Sequence, residues 1–237
     1  MPENQQKIVT AHSLDNIIWQ ALTTRQAAFS RTHGTARKFI DDIGPLAGFS
    51  GDVEEGYESL AGLAGNGGVV AVFSINAYRP REGWSLVAEA PLVQMVREQP
   101  GVADAGPSSF SIVNLNAPDS GDMQELAALA KPGPFGPRTH ELGNFFGIRD
   151  QGKLVAMAGE RMKVPDHTEV SAVCTHPDHT GKGYAATLMS RVIAGIEARG
   201  ETPFLHSRAD NERALELYKR LGFCARWSGH FFALRRE

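Results

Sequence analysis

The sequence has few cysteines and no long hydrophobic run. Two of its 237 residues are cysteines, Cys174 and Cys224, and they form no CxxC pair. A disulfide framework is therefore not expected, which agrees with a reducing compartment. The first 16 residues contain no apolar segment, and no uncharged apolar stretch approaches the roughly 20 residues that a membrane-spanning helix needs. We expect a cytoplasmic protein without a membrane partner.

The chain also lacks a concentration of positive charge. Its 24 Lys and Arg and its 27 Asp and Glu are interspersed and give a formal net charge of −3. No basic run could neutralise a phosphate backbone, so a nucleic acid partner is not expected. The motif GxxxxGK[ST] is absent, which argues against a P-loop hydrolase. His176 and His179 lie in one loop but have no third ligand at a suitable spacing, so we expect no metal.

What is present is enough apolar sequence for an ordinary core, at 42% hydrophobic residues. In the first hundred residues, apolar spacing and turn residues separate the predicted elements. These are helices over residues 14–29 and 53–64 and strands over 69–75, 84–88 and 92–96, the last two interrupted by Pro91. Residues 97–109 are rich in breakers and poor in core residues. They predict a domain boundary.

The remaining sequence alternates short strands with amphipathic helices. The predicted strands are residues 110–115, 145–149, 154–160, 169–175 and 203–207, and the predicted helices are 120–130, 183–199 and 211–221. Residues 223–234 complete the chain. Turn residues at Asp150-Gln151-Gly152 and at Pro165-Asp166 join three of the strands. An antiparallel meander is therefore predicted, within a mixed α/β fold.

The segment VCTHPDHTGKGYA, residues 173–185, leads from a predicted strand through a glycine-rich loop into a helix. Such a junction binds anions, because the first N–H groups of the helix are unpaired and the helix dipole favours negative charge there. Lys182 could add a charge. Taken alone the signal is weak, since Gly181 to Ala186 also fits the dinucleotide fingerprint GxGxxA. Too few strands follow Gly183 for a Rossmann unit, while a plain glycine-rich turn stays open as an alternative.

A second motif lies downstream, where residues 211–223 read Asn-x-x-Ala-x-x-x-Tyr-x-x-x-Gly-Phe. With both motifs the sequence resembles the GNAT acetyltransferase superfamily, particularly its FR47-like branch. The coenzyme loop of that family, Gln/Arg-x-x-Gly-x-Gly/Ala, falls on residues 180–185, and Thr180 departs from the usual Gln or Arg. The resemblance covers about residues 110–237 and is much fainter in the first hundred.

This resemblance implies the GNAT fold, α/β (α+β), with a mixed, mostly antiparallel sheet flanked by helices and two tandem GNAT-like halves. Residues 1–105 would form a degenerate GNAT-like N-terminal domain, and residues 106–237 the catalytic domain. A second coenzyme site is not expected in residues 1–105, because the glycines of residues 65–68 precede a strand rather than a helix. A homodimer is possible.

The resemblance also implies acetyl-CoA as co-substrate and a set of contacts to it. Pantetheine would pair with the backbone of one strand as an added strand does, and the diphosphate would lie on the glycine-rich loop. The residues implied to bind the coenzyme are Val173, Cys174, Thr175, Thr180, Gly181, Lys182, Gly183, Tyr184, Ala185, Ala186 and Asn211.

Acetyl transfer to an amine needs a base, an oxyanion donor and an acid for the departing thiolate. Glu169 is the candidate base, acting through water, with a plain solvent-facing strand carboxylate as the alternative. The Cys174 N–H is the candidate oxyanion donor. Tyr218 is the candidate acid, because it lies two helical turns beyond Asn211 on the same face; the alternative is a core aromatic. Direct transfer is preferred over an acyl intermediate on the Cys174 thiol.

These observations predict an acetyl-CoA-dependent N-acetyltransferase that acts on a small-molecule amine or a peptide N-terminus. The acceptor could be an amino acid, a polyamine, an aminoglycoside-like drug or a protein N-terminus. A non-catalytic acetyl-CoA-binding or regulatory module is the alternative, since Thr180 departs from the family pattern.

Overall fold

The computed structural model of the chain describes residues 12–99 and 110–237. These residues form five α-helices: α1 (Ile17–Thr23), α2 (Val53–Ala64), α3 (Ser120–Ala130), α4 (Tyr184–Glu197) and α5 (Glu212–Arg220). The strands are β1 (Ser30–His33), β2 (Ala36–Phe39), β3 (Ala47–Phe49), β4 (Val69–Ser74), β5 (Trp84–Arg97), β6 (Ile112–Leu115), β7 (Phe145–Asp150), β8 (Lys153–Val164), β9 (His167–Thr175), β10 (Thr202–Arg208) and β11 (Phe223–Arg236). None of the helices in these two segments is long and apolar enough to cross a membrane.

Eight of the strands form one sheet in the order β4-β11-β5-β10-β9-β8-β7-β6. Its neighbours pair antiparallel except β9 and β10, which are parallel. The strands β1, β2 and β3 form a separate three-stranded antiparallel sheet. The prediction of a mixed, mostly antiparallel sheet flanked by helices is confirmed.

Helices cover both faces of the large sheet. On one face, Leu188 and Val192 of α4 pack in a cluster with Leu205 of β10. On the other face, Ile18 of α1 packs in a cluster with Phe204, the preceding residue of β10. Successive strand side chains point to opposite faces, so these two clusters lie on opposite sides of the sheet.

Helix α3 covers the face opposite α4. Its Met123 packs in a cluster with Met157 of β8, while the neighbouring Ala156 and Ala158 face the α4 cluster. Below, the two faces are called the α4/α5 face and the α1/α3 face.

In the first hundred residues one predicted helix is wrong in its extent and one small sheet was missed. The predicted helix over 14–29 is limited to α1, which ends where the hydroxyls of Thr23 and Thr24 bond to the carbonyls of Trp19 and Gln20. The small sheet β1-β2-β3 was not predicted. Its strands have three or four residues, and the exposed side chains of β1 show no alternation that a sequence pattern could reveal.

The predicted break at Pro91 is also wrong, because β5 is one strand from Trp84 to Arg97. Its pairing to β10 begins only at Leu92, which lies opposite Arg208. Before Leu92 the strand pairs with β11 alone, and a strand with one open side tolerates a proline.

Most other predicted elements agree with the structure within two residues at each end. The predicted boundary includes residues 100–109, which lie outside the described residues. Strands from both sides of that boundary share the large sheet, since β5 lies between β10 and β11. The division into residues 1–105 and 106–237 stays a prediction, as does a homodimer.

Candidate active site

The strands β9 and β10 separate after three paired positions. Their register runs from His167 opposite Thr202 to Glu169 opposite Phe204. Beyond that point β9 pairs only with β8, and β10 only with β5. A gap therefore opens in the middle of the sheet after Glu169.

A β-bulge lies on the β9 side of this gap. Between the register pairs Met157–Cys174 and Gly159–Ser171, β9 contains one residue more than β8. Ala172 adopts a φ of 53°, in the left-handed region that residues other than glycine rarely occupy. Such strain clusters at functional sites, and a bulge re-aims backbone groups that would otherwise pair with the next strand. The sequence gives no signal of this bulge, because alanine is not a residue type that indicates one.

The gap contains a cavity of about 360 Å³. Residues 170–173 of β9 line one side, and residues 205–208 of β10 line the other. Residues 130–134, at the end of α3 and just beyond it, form a further wall. Three larger surface depressions, of about 460, 480 and 670 Å³, lie beside Trp227, Arg81 and Asp122, but none of the predicted site residues lines any of them. The cavity in the gap is therefore the candidate active site.

Asn211 and Tyr218 both line this cavity, as their seven-residue spacing predicts. The Oδ1 atom of Asn211 accepts a hydrogen bond from the Ala214 N–H at 3.2 Å and so caps α5. Its amide NH₂ group is left to donate to a ligand. Burial raises the pKa of Tyr218, against a hydrogen bond to Ser207 that lowers it. The phenol therefore keeps its proton at neutral pH.

The glycine-rich loop has the geometry that an anion-binding junction needs. Gly181 and Gly183 both have a φ of 81°, a conformation that favours glycine. Gly183 is the N-cap of the 14-residue α4, and the first turn of that helix contains no acidic residue. The Lys182 Nζ atom lies 3.3 Å from Nδ1 of His179, so the lysine stays beside the loop.

Several predicted coenzyme residues can offer only backbone groups. The side chains of Tyr184 and Cys174 lie in hydrophobic clusters on opposite faces of the sheet. Burial raises the pKa of the Cys174 thiol to about 12, which leaves no thiolate for nucleophilic attack at neutral pH. Val173 is the predicted strand residue that lines the cavity, whereas Cys174, Thr175 and the loop residues 180–186 do not.

Glu169, the predicted base, is fully buried behind the cavity wall. Its two carboxylate oxygens accept hydrogen bonds from Nε and Nη2 of Arg161, both at 2.8 Å. Its Oε1 also lies 2.8 Å from Nδ1 of His206. Burial works to raise the pKa of Glu169, but the Arg161 and His206 contacts outweigh it and lower the pKa to about 2. Glu169 therefore stays ionised and takes up no proton at neutral pH.

His206 is a cavity-lining residue that the sequence analysis did not identify. Its Nε2 lies 3.1 Å from Nε2 of Gln94, whose Oε1 accepts a hydrogen bond from Arg226 at 3.0 Å. Because Gln94 is oriented by Arg226, this network assigns a proton to Nδ1 of His206, facing Glu169, and a lone pair to Nε2. Burial lowers the pKa of His206, against the raising effect of Glu169, so the ring is neutral at pH 7. A single histidine in a short strand gives no sequence signal of this role.

Among residues 12–99 and 110–237, no group of three or more His, Cys, Asp or Glu side chains is arranged to hold a metal ion. The Nδ1 atom of His176 instead accepts a hydrogen bond from the Asp178 N–H at 3.2 Å.

Residues 145–232 match the sequence profile of the family described as FR47-like protein. A putative acetyltransferase from the GNAT family of Novosphingobium aromaticivorans DSM 12444 is 37% identical; the alignment covers 96% of this chain and all of that one, with a TM-score of 0.87. A GCN5-related N-acetyltransferase from Kribbella flavida is 17% identical over 93% of this chain and 96% of its own, with a TM-score of 0.59. A GCN5-related N-acetyltransferase-like protein from Streptococcus suis 89/1591 is 15% identical over 93% of this chain and 92% of its own, with a TM-score of 0.61. The last two share the fold. No curated protein shows significant similarity to the sequence.

Proposed function

Because this chain belongs to the GNAT superfamily of acetyltransferases, in its FR47-like branch, we propose that it transfers an acetyl group directly from acetyl-CoA to the primary amine of a small molecule or a peptide N-terminus. The observation that carries the proposal is the cavity between β9 and β10, which Tyr218, Asn211 and His206 all line. The cavity brings the protonated phenol of Tyr218 and the neutral imidazole of His206 to the edge of β9 that has no neighbouring strand.

The residues around the cavity fit the coenzyme. After Glu169 the inner edge of β9 has no neighbouring strand, so its backbone groups can pair with the amides of pantetheine. The N-terminus of α4, with Gly181 and Gly183 in the left-handed region, suits the diphosphate, and Lys182 adds a positive charge. The NH₂ group of Asn211 can donate to the same chain of the coenzyme. When bound, acetyl-CoA supplies the thioester that is the electrophile.

For the base we propose His206, held by Glu169, in place of Glu169 acting alone. Among the titratable side chains that line the cavity, Arg161, Arg208 and Tyr218 have raised pKa values and carry their protons at neutral pH. His206 is neutral there, and the lone pair of its Nε2, which accepts a hydrogen bond from the Gln94 NH₂ group, can take the amine proton once that amide turns aside. The Glu169 carboxylate fixes the tautomer and stabilises the imidazolium that forms when the amine gives up its proton.

For the acid we keep the residue that the sequence indicates, and for the oxyanion donor we propose the residue next to it. The amine nitrogen bonds to the thioester carbon, the carbonyl oxygen becomes an oxyanion, and the C–S bond then breaks. The Cys174 N–H pairs toward Met157 of β8 and Cys174 lies outside the cavity lining, so we propose the backbone N–H of its cavity-lining neighbour Val173, beside the bulge at Ala172, as the oxyanion donor. The Tyr218 hydroxyl is the proposed acid that protonates the thiolate.

The test combines binding with turnover. CoA and acetyl-CoA should each raise the melting temperature, since a ligand that binds only the native state stabilises it. Calorimetry should give one coenzyme per chain, and free CoA thiol should appear when acetyl-CoA is incubated with a panel of amines. Thermal stabilisation without thiol release from any amine would instead support a non-catalytic coenzyme-binding module.

A cytoplasmic location is part of the proposal. Its support is that Cys174 and Cys224 are both free thiols.

A further inference from the structure

The charge of the cavity lining bears on the acceptor. No Asp or Glu is among the described residues that line it, whereas Lys131, Arg161 and Arg208 are. Glu169 compensates Arg161, and Asp210 compensates Arg208. Lys131 forms no ion pair within residues 12–99 and 110–237. The cavity is therefore net positive, and Lys131 is the cation left for a ligand.

The other part of the lining is apolar. Phe73 and Phe231 stand opposite each other on β4 and β11, with ring centroids 6.3 Å apart. Both pack against the cluster on the α1/α3 face, and Leu46 of that cluster lines the cavity beside them. Asn211, which caps α5, and Tyr218 of α5 enter the cavity from the other face. The coenzyme residues and the aromatic pair thus lie at opposite ends of one passage through the sheet.

His206 lies between these two ends. Its ring contacts that of Phe73 with centroids 4.8 Å apart, on the same side of β10 as Phe204. An amine that reaches Nε2 of His206 from the acceptor side must therefore pass its substituent along Phe73.

From these two observations we propose that the acceptor is an α-amino acid with an apolar side chain, an inference that rests on the proposed function. The side chain lies against Phe73 and Phe231, the carboxylate pairs with Lys131, and the amine faces His206. A polyamine or an aminoglycoside would bring several positive charges into a positive cavity that has no carboxylate to receive them. An α-amino acid carries one carboxylate for its one amino group, so it adds no net positive charge to the cavity.

The substrate test measures thiol release with matched acceptors. L-Leucine and L-phenylalanine should exceed phenethylamine, L-phenylalaninamide and spermidine in kcat/KM by about tenfold or more, the scale of losing one charge-assisted contact. Spermidine, phenethylamine or the amide acting as well as the amino acids would overturn the inference and leave the proposed function intact. If no thiol is released with any of these acceptors or with any other amine, both the inference and the proposed function would be overturned.

Two variants locate the binding groups. Lys131→Gln should raise the KM for L-leucine about tenfold while the KM for acetyl-CoA stays within about twofold. Lys153→Gln, an exposed lysine outside the cavity lining, is the matched control and should change neither constant. A rise in the acetyl-CoA KM of the Lys131 variant would assign that lysine to the coenzyme and overturn the carboxylate contact.

Phe73→Ala should lower kcat/KM for L-phenylalanine about tenfold more than for glycine, because only the larger acceptor loses its wall. Phe135→Ala, which removes a half-buried ring outside the lining, is the control. Stabilisation by CoA shows that each variant is folded. Equal losses of kcat/KM for L-phenylalanine and glycine would overturn the placement of the acceptor's side chain against Phe73.

Discussion

Oε1 of Glu169 lies 2.8 Å from Nδ1 of His206, at the point where β9 and β10 stop pairing. The contact links the last paired position of β9 to the cavity wall on β10. Arg161 binds both oxygens of the same carboxylate from behind. The protonation of the cavity-lining His206 therefore depends on a carboxylate that is held in place by the last paired position of the two strands.

Replacement of Glu169 by Gln should destabilise the protein by about 3–5 kcal/mol, because it leaves the buried Arg161 without its counter-charge. The Glu169 pKa is lowered from 4.5 to about 2 on folding, so its stabilising contribution is complete above pH 4.5 and is lost as the pH falls toward 2. Denaturant unfolding from pH 7 to pH 3 measures both effects. The difference between wild type and variant should shrink below pH 4.5, and a difference constant to pH 3 would contradict the assigned pKa.

Replacement of His206 by Gln should lower kcat by roughly 10²-fold or more, the scale of losing a general base, with little change in acetyl-CoA binding. The wild-type rate should fall as the pH drops through the His206 pKa, which burial lowers below 6.5, because protonation removes the lone pair. The variant should lack this acid limb. His230→Gln is the control, since His230 pairs with Glu89 outside the cavity lining. An acid limb that persists in the His206 variant would assign the titration to another group.

The glycine-rich loop and the spacing along α5 could be predicted from the sequence. The loop at residues 180–186 and the Asn211–Tyr218 spacing are local patterns, in which chain geometry fixes where the groups lie. Glu169 could be named but not its environment, because Arg161 and His206 reach it from other strands.

The rest depends on tertiary pairing. The bulge at Ala172 arises from the β8–β9 register, and Phe73 comes to the cavity because β4 pairs with β11 across about 160 residues of sequence. No local pattern encodes either contact. Local periodicity also missed β1, β2 and β3, which are too short to show a period.

Replacement of Gly183 by Asp should abolish the rise in melting temperature on adding CoA, because a carboxylate would face the diphosphate at the start of α4. The φ of 81° also strains any side chain, at a cost of roughly 1–3 kcal/mol. Gly152→Asp is a matched control: its φ is 82°, and a side chain there also meets open space. It should lose similar stability but keep the shift with CoA. An unchanged shift in the Gly183 variant would show that the loop does not hold the coenzyme.

Replacement of Tyr218 by Phe keeps the ring, which packs at 6.4 Å from Phe223, and removes the hydroxyl that faces Ser207 and the cavity. Burial raises the Tyr218 pKa, so the hydroxyl is protonated throughout the neutral range and can donate to a thiolate whose conjugate acid has a reference pKa near 8.5. We expect kcat to fall by roughly 10²-fold or more while the affinity for CoA, measured by calorimetry, stays close to that of wild type. Tyr57→Phe on α2 is the control, because that residue is half-buried near Trp84 and outside the cavity lining. A Tyr218→Phe enzyme with wild-type kcat, measured on an acceptor for which chemistry limits turnover, would leave Tyr218 as a packing residue.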